Sequence, residues 1–418
     1  VIRGGKSLHG SYSISGAKNA VLPLMVAALL SPHPVTLHNV PASLDVAVLA
    51  NLLHRLGAGL DWTRHKEGLG VTIHARDIRP DQIDGELVSR MRASVLLLGA
   101  VLTRCGKATL PMPGGDAIGL RGIDFHLAGL RAMGAEVDMT SGVIHARAPA
   151  GLHGADIQLP QASVGATENL LLAAVLARGT TTIRNAAREP EITDLAACLS
   201  AMGAAIEGAG TDVLTVQGGR PLGQAQHTVM PDRIELGTIA CIAAATGGRL
   251  LLRHSPADIL GAAATALASA GVVLEAVEGG TLAQRAPGGL AGIDVVTAPY
   301  PGFATDLQSP VMALLATATG ASGITETIFE QRFRHVDELR KMGASITVHR
   351  TTALIRGVPR LAGAHVTGTD VRAAAALVLA GLAAEGVTVL DGLDHLDRGY
   401  DGMAEKLAAC GADITRTS

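Results

Sequence analysis

Hydrophobic positions along this chain alternate between two kinds of segment. Long Ala/Leu-rich stretches, among them AVLPLMVAALL, ASVLLLGAVL, ENLLLAAVLA and AAAALVLAGLAA, are apolar around most of a helical circumference. That pattern predicts buried helices rather than amphipathic surface ones. After each comes a short β-branched stretch: PVTLHNV, KATLPMP, TTTIRNA, GRLLLRH, GITETIF and VTVLDGL read as strands. A second, more polar helix then closes in a glycine: LLHRLGAGL at Gly57, GLRAMGAEV at Gly134, CLSAMGAAI at Gly203, ALASAGVVL at Gly271, ELRKMGASI at Gly343 and KLAACGADI at Gly411. These glycines are spaced 77, 69, 68, 72 and 68 residues apart. A period of about 70 residues marks one supersecondary unit copied six times. The unit reads strand, buried helix, strand, outer helix with a glycine C-cap, then one or two strands.

Six such units do not fit one core. Three per domain predicts an α/β fold of two similar domains with buried helices inside and sheets outside, an inside-out α/β barrel. The expected domains are residues 18–230, and residues 1–17 together with 231–418, with the break near TVMPDRIELG. By the unit count the N-terminal strand pairs with the C-terminal half. The chain then crosses twice between domains, hinged around a cleft that holds the active site.

Composition narrows the class of function. The 418 residues are 48% hydrophobic and 17% charged, so the chain is globular. A net charge of −3 argues against a nucleic-acid partner. Cys105, Cys198, Cys241 and Cys410 are scattered with no CxxC spacing. They suggest neither zinc nor a disulfide framework, and point to a reducing, cytoplasmic location. The apolar run near the start is too short to span a bilayer and no signal peptide is read before it, so no membrane partner is expected.

The candidate chemistry gathers where the buried helices begin. The six junctions read SGAKNAVLP, RMRASVLLL, ASVGATENL, PDRIELGTI, FATDLQSPV and TDVRAAAAL. Ser163 and Asp232 suit N-capping. Lys18, Arg92 and Arg372 do not, because a cation opposes the positive end of the helix dipole. Three such cations make sense if an anion is bound there, as phosphates are. The segment 111–125, LPMPGGDAIGLRGIDFH with its flanks, is rich in Gly and Pro and carries Asp116, Arg121, Asp124 and His126. It reads equally as a surface loop or a lid. IFEQRFRH and DHLDRGYD are charge runs, which usually form solvated faces. No P-loop, Rossmann fingerprint or nucleophile elbow is present.

With these segments in view, the chain resembles the UDP-N-acetylglucosamine enolpyruvyl transferase (1-carboxyvinyltransferase) family over essentially its whole length. The matching segments are SGAKNAVLP, MRASVLLLG, PGGDAIGLR, SVGATENLLLAA, NAAREPEITDLA, PDRIELGT, TDLQSP, ITETIFEQRFRHVDEL, TDVRAAAALVLAG and HLDRGYD. The resemblance implies that phosphoenolpyruvate and UDP-N-acetylglucosamine bind in the cleft. The sugar 3-hydroxyl adds to the enol carbon, and phosphate leaves from a tetrahedral intermediate. No cofactor or metal is implied. By the resemblance, Lys18 and Arg121 hold the phosphate of phosphoenolpyruvate and Arg398 with Arg372 its carboxylate, with Asn19, Arg92 and Arg332 as further members. Asp306 is the general base. The nucleotide sugar falls to Asn19, Arg92, Arg121, Gly122, Ile123, Asp124, Phe125, Gln161, Ser163, Val164, Gly165, Asp306 and Ile328. The expected assembly is a monomer or weak homo-oligomer.

Two departures from the family pattern matter. At the lid tip, where many members carry cysteine, this chain has Asp116, implied to protonate the methylene carbon of phosphoenolpyruvate. A carboxylate is a far poorer nucleophile toward an epoxide than a thiolate, so resistance to fosfomycin is expected. The other is RGID in place of RPID or RPVD, where Gly122 is expected to loosen the lid. Two rival readings stay open: an enolpyruvyl transferase for another nucleotide, and a binding protein without turnover.

Overall fold

A computed structural model describes residues 1–65 and 68–417. The chain divides into two compact units. The first holds residues 16–116 and 121–230; the second holds residues 1–15, 117–120 and 231–418. The sequence-derived boundary at 17/18 therefore moves to 15/16, because Ala17 donates its N–H to Met230 O at 2.7 Å. Residues 117–120 leave the first unit because Gln331 N–H donates to Ile118 O and Leu120 N–H to Glu330 Oε1.

Within the first unit the helices Lys18–Ala27, Leu96–Cys105 and Val164–Ala174 form the centre: the second packs on both others. In the second unit Arg233–Ala245, Gln308–Leu315 and Val371–Ala383 pack on one another in the same way. Every residue of Arg233–Ala245 is buried. A helix without a polar face needs cover on all sides, and the sheets supply it.

Among the described residues six sheets carry the repeat. Five have four strands and one has three. The strand after each buried helix, Val35–Val40, Thr180–Arg184, Arg249–Arg253, Ala321–Thr325 or Val387–Asp391, lies between a parallel neighbour and an antiparallel one. Among the described residues Lys107–Pro111 has only the antiparallel partner, Val143–Arg147, which accounts for the three-stranded sheet.

Two parallel strands are exchanged along the chain. His9–Ser13 precedes Lys18–Ala27 in sequence, yet pairs with Arg249–Arg253 in the second unit. Ala225–Thr228 precedes Arg233–Ala245, yet pairs with Val35–Thr36–Leu37–His38 in the first. Ile2–Arg3 lies between Val387–Thr388 and Asp413–Ile414.

The six repeat glycines all have positive φ, from +88° to +109°. In five of them the same two bonds close the outer helix; at Gly343, for example, Gly343 N–H donates to Arg340 O and Ala344 N–H to Leu339 O. Only a residue that tolerates this left-handed backbone ends the helix this way. All four cysteines are free thiols. Among the described residues no helix is long and apolar enough to cross a membrane.

Candidate active site

Three of the six buried helices are capped by a side chain. Ser163 Oγ accepts from Ala166 N–H, Asp232 Oδ1 from Ile234 and Glu235 N–H, and Asp370 Oδ1 from Arg372 and Ala373 N–H. The other three junctions begin at Ala17, Met91 and Ala304, none of which makes a side-chain cap bond. These uncapped junctions carry Lys18, Arg92 and Asp306.

In the first unit, Lys18 opens its helix and pairs through Nζ with Asp45 Oδ2 at 2.9 Å. Asp45 is buried in the first turn of the helix Leu44–Arg55. Asn19 follows, half-buried. Arg92 heads the turn Arg92–Val95 and donates from Nη2 to Gly122 O at 2.6 Å. Arg92 and Arg121 both lie against Gly115: a Cβ there would stand 3.0 Å from Arg92 Cβ and 3.3 Å from Arg121 Nη1. Partial burial, with the Arg121 charge beside it, lowers the Arg92 guanidinium to about 10. The two arginines thus flank the residue that precedes Asp116, itself half-buried.

The loop between Pro111 and Asp124 contains no helix or strand. The Gly122 carbonyl accepts from Arg92, and a side chain at 122 would run into Asp124 Oδ1. Ile123 precedes the helix Asp124–Ala132 and is buried; Phe125 is half-buried. Gln161 is exposed, whereas Ser163, Val164 and Gly165 are half-buried at the start of Val164–Ala174.

In the second unit, Asp306 lies in the turn Thr305–Leu307. Arg372 donates to its Oδ2 from Nε at 3.1 Å and Nη2 at 2.9 Å. Arg332 Nη2 meets Oδ1 at 2.7 Å. Both guanidiniums are buried, with side chains 3% and 4% exposed. Burial pushes the Asp306 carboxyl up, but Arg372 and then Arg332 outweigh it and hold the group well below the usual carboxylate range. Conversely, burial opposes the charge of Arg372, and the Asp306 carboxylate overrides it and raises the guanidinium. Tyr400 supplies a ring face 5.4 Å from the Arg372 Cζ. Arg398 is half-buried at the end of the helix Leu393–Asp397, one residue before Gly399, which packs beside Arg372.

Glu326 organises this cluster from beneath. It is buried, and its carboxylate accepts from Thr297 and Thr305 hydroxyls and from Ile328 and Phe329 N–H groups. Thr305 Oγ1 accepts in turn from Arg332 Nη1 at 2.9 Å. Ile328 is therefore placed by a backbone bond to a carboxylate.

The solvated-face reading of IFEQRFRH is overturned for Arg332 and His335, both buried; Arg334 remains exposed. Charge runs look alike in sequence whether or not a carboxylate sits opposite. The anion argument at the helix starts is also modified: Asp45 answers Lys18, and Asp306 answers Arg372. Part of the anion implied by those cations belongs to the protein. Sequence reasoning missed Asp45, Glu326 and the role of Glu330, whose partners are remote in sequence.

The predicted site residues thus form two sets. Lys18, Asn19, Arg92, Asp116, Arg121–Phe125, Gln161 and Ser163–Gly165 belong to the first unit; Asp306, Ile328, Arg332, Arg372 and Arg398 belong to the second. Among the described residues no cluster of His, Cys, Asp or Glu is placed to hold a metal ion.

The family model described as EPSP synthase (3-phosphoshikimate 1-carboxyvinyltransferase) matches residues 2–407. A UDP-N-acetylglucosamine 1-carboxyvinyltransferase of Rhodospirillum centenum is 53% identical over 99% of this chain and 98% of its own length. One of Acidiphilium cryptum is 54% identical, again over 99% and 98%. Among solved structures, the enolpyruvyl transferase NikO from Streptomyces tendae superposes with a TM-score of 0.87 at 28% identity, covering 100% of this chain and 98% of that one. EPSP synthase from Acinetobacter baumannii shares the fold, with a TM-score of 0.72 at 19% identity over 98% and 97% of the two chains. The chain is a transferase and belongs to the EPSP synthase (3-phosphoshikimate 1-carboxyvinyltransferase) family of enolpyruvyl transferases.

Proposed function

We propose that this chain transfers the enolpyruvyl group of phosphoenolpyruvate to the 3-hydroxyl of UDP-N-acetylglucosamine and releases phosphate, the first committed step of peptidoglycan synthesis. It acts in the cytoplasm and serves cell-wall growth, cell shape and division. The observation that carries the chemistry is Asp306, a carboxylate held between two buried arginines. A buried cation pair with one internal counter-ion is poised to exchange that counter-ion for a substrate carboxylate. Identity above one half with carboxyvinyltransferases named for this acceptor supports the choice of substrate.

In this reading the two sets of residues work on one substrate. Lys18 and Arg121 take the phosphate of phosphoenolpyruvate; Arg372 and Arg398 take its carboxylate, with Arg92 and Arg332 adding to the positive field. Once substrate engages Arg372, Asp306 loses part of its clamp and gains basicity. It then accepts the proton of the sugar hydroxyl as the oxygen bonds to the enol carbon. Asp116 gives a proton to the methylene carbon, closing the addition. Asp116 then takes a proton back from the methyl carbon as phosphate leaves with the proton held by Asp306, which restores the double bond and both carboxyl groups. A carboxylate at 116 also leaves fosfomycin without a thiolate to alkylate.

The test is phosphate release from phosphoenolpyruvate with UDP-N-acetylglucosamine and with a panel of other nucleotides. Turnover with UDP-N-acetylglucosamine alone is the expected result. Preference for another nucleotide would shift the reading to a different acceptor, and ligand binding without phosphate release would sink the transfer itself.

A further inference from the structure

The helix Val164–Ala174 buries Asn169 completely. Gly99 N–H donates to Asn169 Oδ1 at 2.9 Å, which fixes the orientation of the amide. Its Nδ2 then faces His126 Nδ1 at 3.2 Å. An amide NH2 can only donate, so Nδ1 is the acceptor and the single ring proton resides on Nε2. The close approach at Gly99 permits this: a Cβ there would stand 2.5 Å from Asn169 Oδ1.

His126 is 4% exposed. Burial, and secondarily the Arg92 charge, keep the imidazole neutral, with its pKa lowered to about 3. Among the described residues no protein group accepts from Nε2. That edge of the ring lies beside Gly165, where a Cβ would stand 3.4 Å from Cε1 and 3.6 Å from Nε2. Gly165 is the second residue of the helix. The helix's own bonding begins later, with Thr167 N–H to Ser163 O and Ala166 N–H to the Ser163 side chain. The Val164 and Gly165 N–H groups therefore precede the first intrahelical bond. A neutral N–H at the edge of a buried ring, with no protein acceptor and beside the open end of a helix, is a receptor for an anionic oxygen.

We propose that His126 Nε2–H donates a hydrogen bond to a phosphate oxygen of the nucleoside diphosphate held at the start of Val164–Ala174, and that Asn169 is a positioning residue that sets the tautomer. The proposal rests on the nucleotide-sugar reading above and adds to it a donor chain, Gly99 to Asn169 to His126 to ligand. A fixed neutral donor adds direction without adding charge, in a region where Arg92 and Arg121 already supply it.

Calorimetric titration of the full chain tests this with UDP, UDP-N-acetylglucosamine and inorganic phosphate. His126→Phe is expected to weaken both uridine nucleotides about tenfold, the scale of one hydrogen bond to a charged acceptor. The KM for phosphoenolpyruvate is expected to stay within about twofold. His126→Gln, which keeps a side-chain N–H, recovers part of the loss. Nitrogen-15 NMR of the unmodified protein reads the tautomer without mutation: an Nε2–H imidazole before ligand, with that resonance shifted by UDP. Asn169→Leu is expected to remove the tautomer preference. Equal nucleotide affinity in His126→Phe, an Nδ1–H tautomer, or an Nε2–H signal unmoved by UDP overturns this proposal alone. Binding of inorganic phosphate weakened as much as UDP in His126→Phe overturns the nucleotide assignment. If the unmodified chain binds neither uridine nucleotide, this proposal and the nucleotide-sugar reading fall together.

Discussion

Arg372 reaches Asp306 with two nitrogens, Nε and Nη2, that converge on the same oxygen, leaving the other oxygen to Arg332. Replacing Asp306 by Asn strips the neutralising charge from two buried guanidiniums. Breaking a buried pair from one side costs about 3–5 kcal/mol. The Asp306 carboxyl is held below its unfolded value, so its contribution is present above about pH 4 and is lost as pH falls through the depressed folded value. Urea denaturation at pH 7 is expected to show the full deficit of Asp306→Asn, and the gap from the parent should shrink in strong acid. A gap unchanged by acid would show that the arginines do not depend on this carboxylate.

Asp116 is the proposed proton donor to carbon. Asp116→Ala is expected to lower turnover by about 10²–10⁴, the usual contribution of a general acid. Asp116→Cys should keep activity and become inactivated by fosfomycin, with a mass increase on the cysteine peptide. The parent should show neither inactivation nor adduct; covalent labelling of Asp116 would refute the resistance.

Glu330 accepts the Leu120 N–H at 2.7 Å, and this bond is the largest cause lowering its carboxyl pKa. Gly119 makes room for it: with φ at +149°, a Cβ there would lie 2.5 Å from Glu330 Oε2. Glu330→Ala should speed hydrogen exchange at the Leu120 amide and proteolysis within residues 112–123 severalfold, while leaving the melting temperature nearly unchanged. Unaltered exchange at Leu120 would show that the loop is held elsewhere.

Lys406 bonds Ser15 Oγ at 2.6 Å and approaches Glu235 Oε1 at 3.4 Å; Glu235 also accepts from Tyr12 and from Ser15 N–H. Burial raises the Glu235 carboxyl, with Lys406 opposing. Lys406→Met is expected to cost about 1–3 kcal/mol at pH 7 through the unanswered buried charge. A carboxyl raised on folding favours the folded state in acid and penalises it above its unfolded value. The variant should therefore lose stability, relative to the parent, as pH rises from about 4 toward neutrality.

Gly343 has φ +91° and open space where a Cβ would go. Gly343→Ala isolates the backbone cost, expected at about 1–2 kcal/mol. Gly343→Asn should cost less, because Asn tolerates the left-handed region. Equal stability of all three by thermal denaturation would remove the conformational reason for this repeated glycine.

The repeat was legible because each copy must solve the same local problem. Six outer helices must stop, and a glycine at positive φ stops them, so the period is written in Gly57, Gly134, Gly203, Gly271, Gly343 and Gly411. The buried helices were legible from their lack of a polar face. Partners were harder to see. Nothing local marks Asp45 as the counter-ion of Lys18, or Glu326 as the acceptor of the Thr297 and Thr305 hydroxyls, because such pairs are chosen by the fold. His126 and Asn169 are 43 residues apart and carry no shared motif. The unit count placed the N-terminal strand with the C-terminal half, but which strand it joins there, Arg249–Arg253, was not legible: a strand's own pattern names its faces and not its neighbour.

That placement of Ile2–Arg3 between Val387–Thr388 and Asp413–Ile414 has a consequence for biogenesis. Ile2–Arg3 emerges from the ribosome long before either neighbour exists. At about 5–20 residues per second, elongation leaves it waiting for roughly 20–80 s. During that time its backbone can be satisfied only by water or by a chaperone, and this sheet stays unsealed until Asp413–Ile414 has been made.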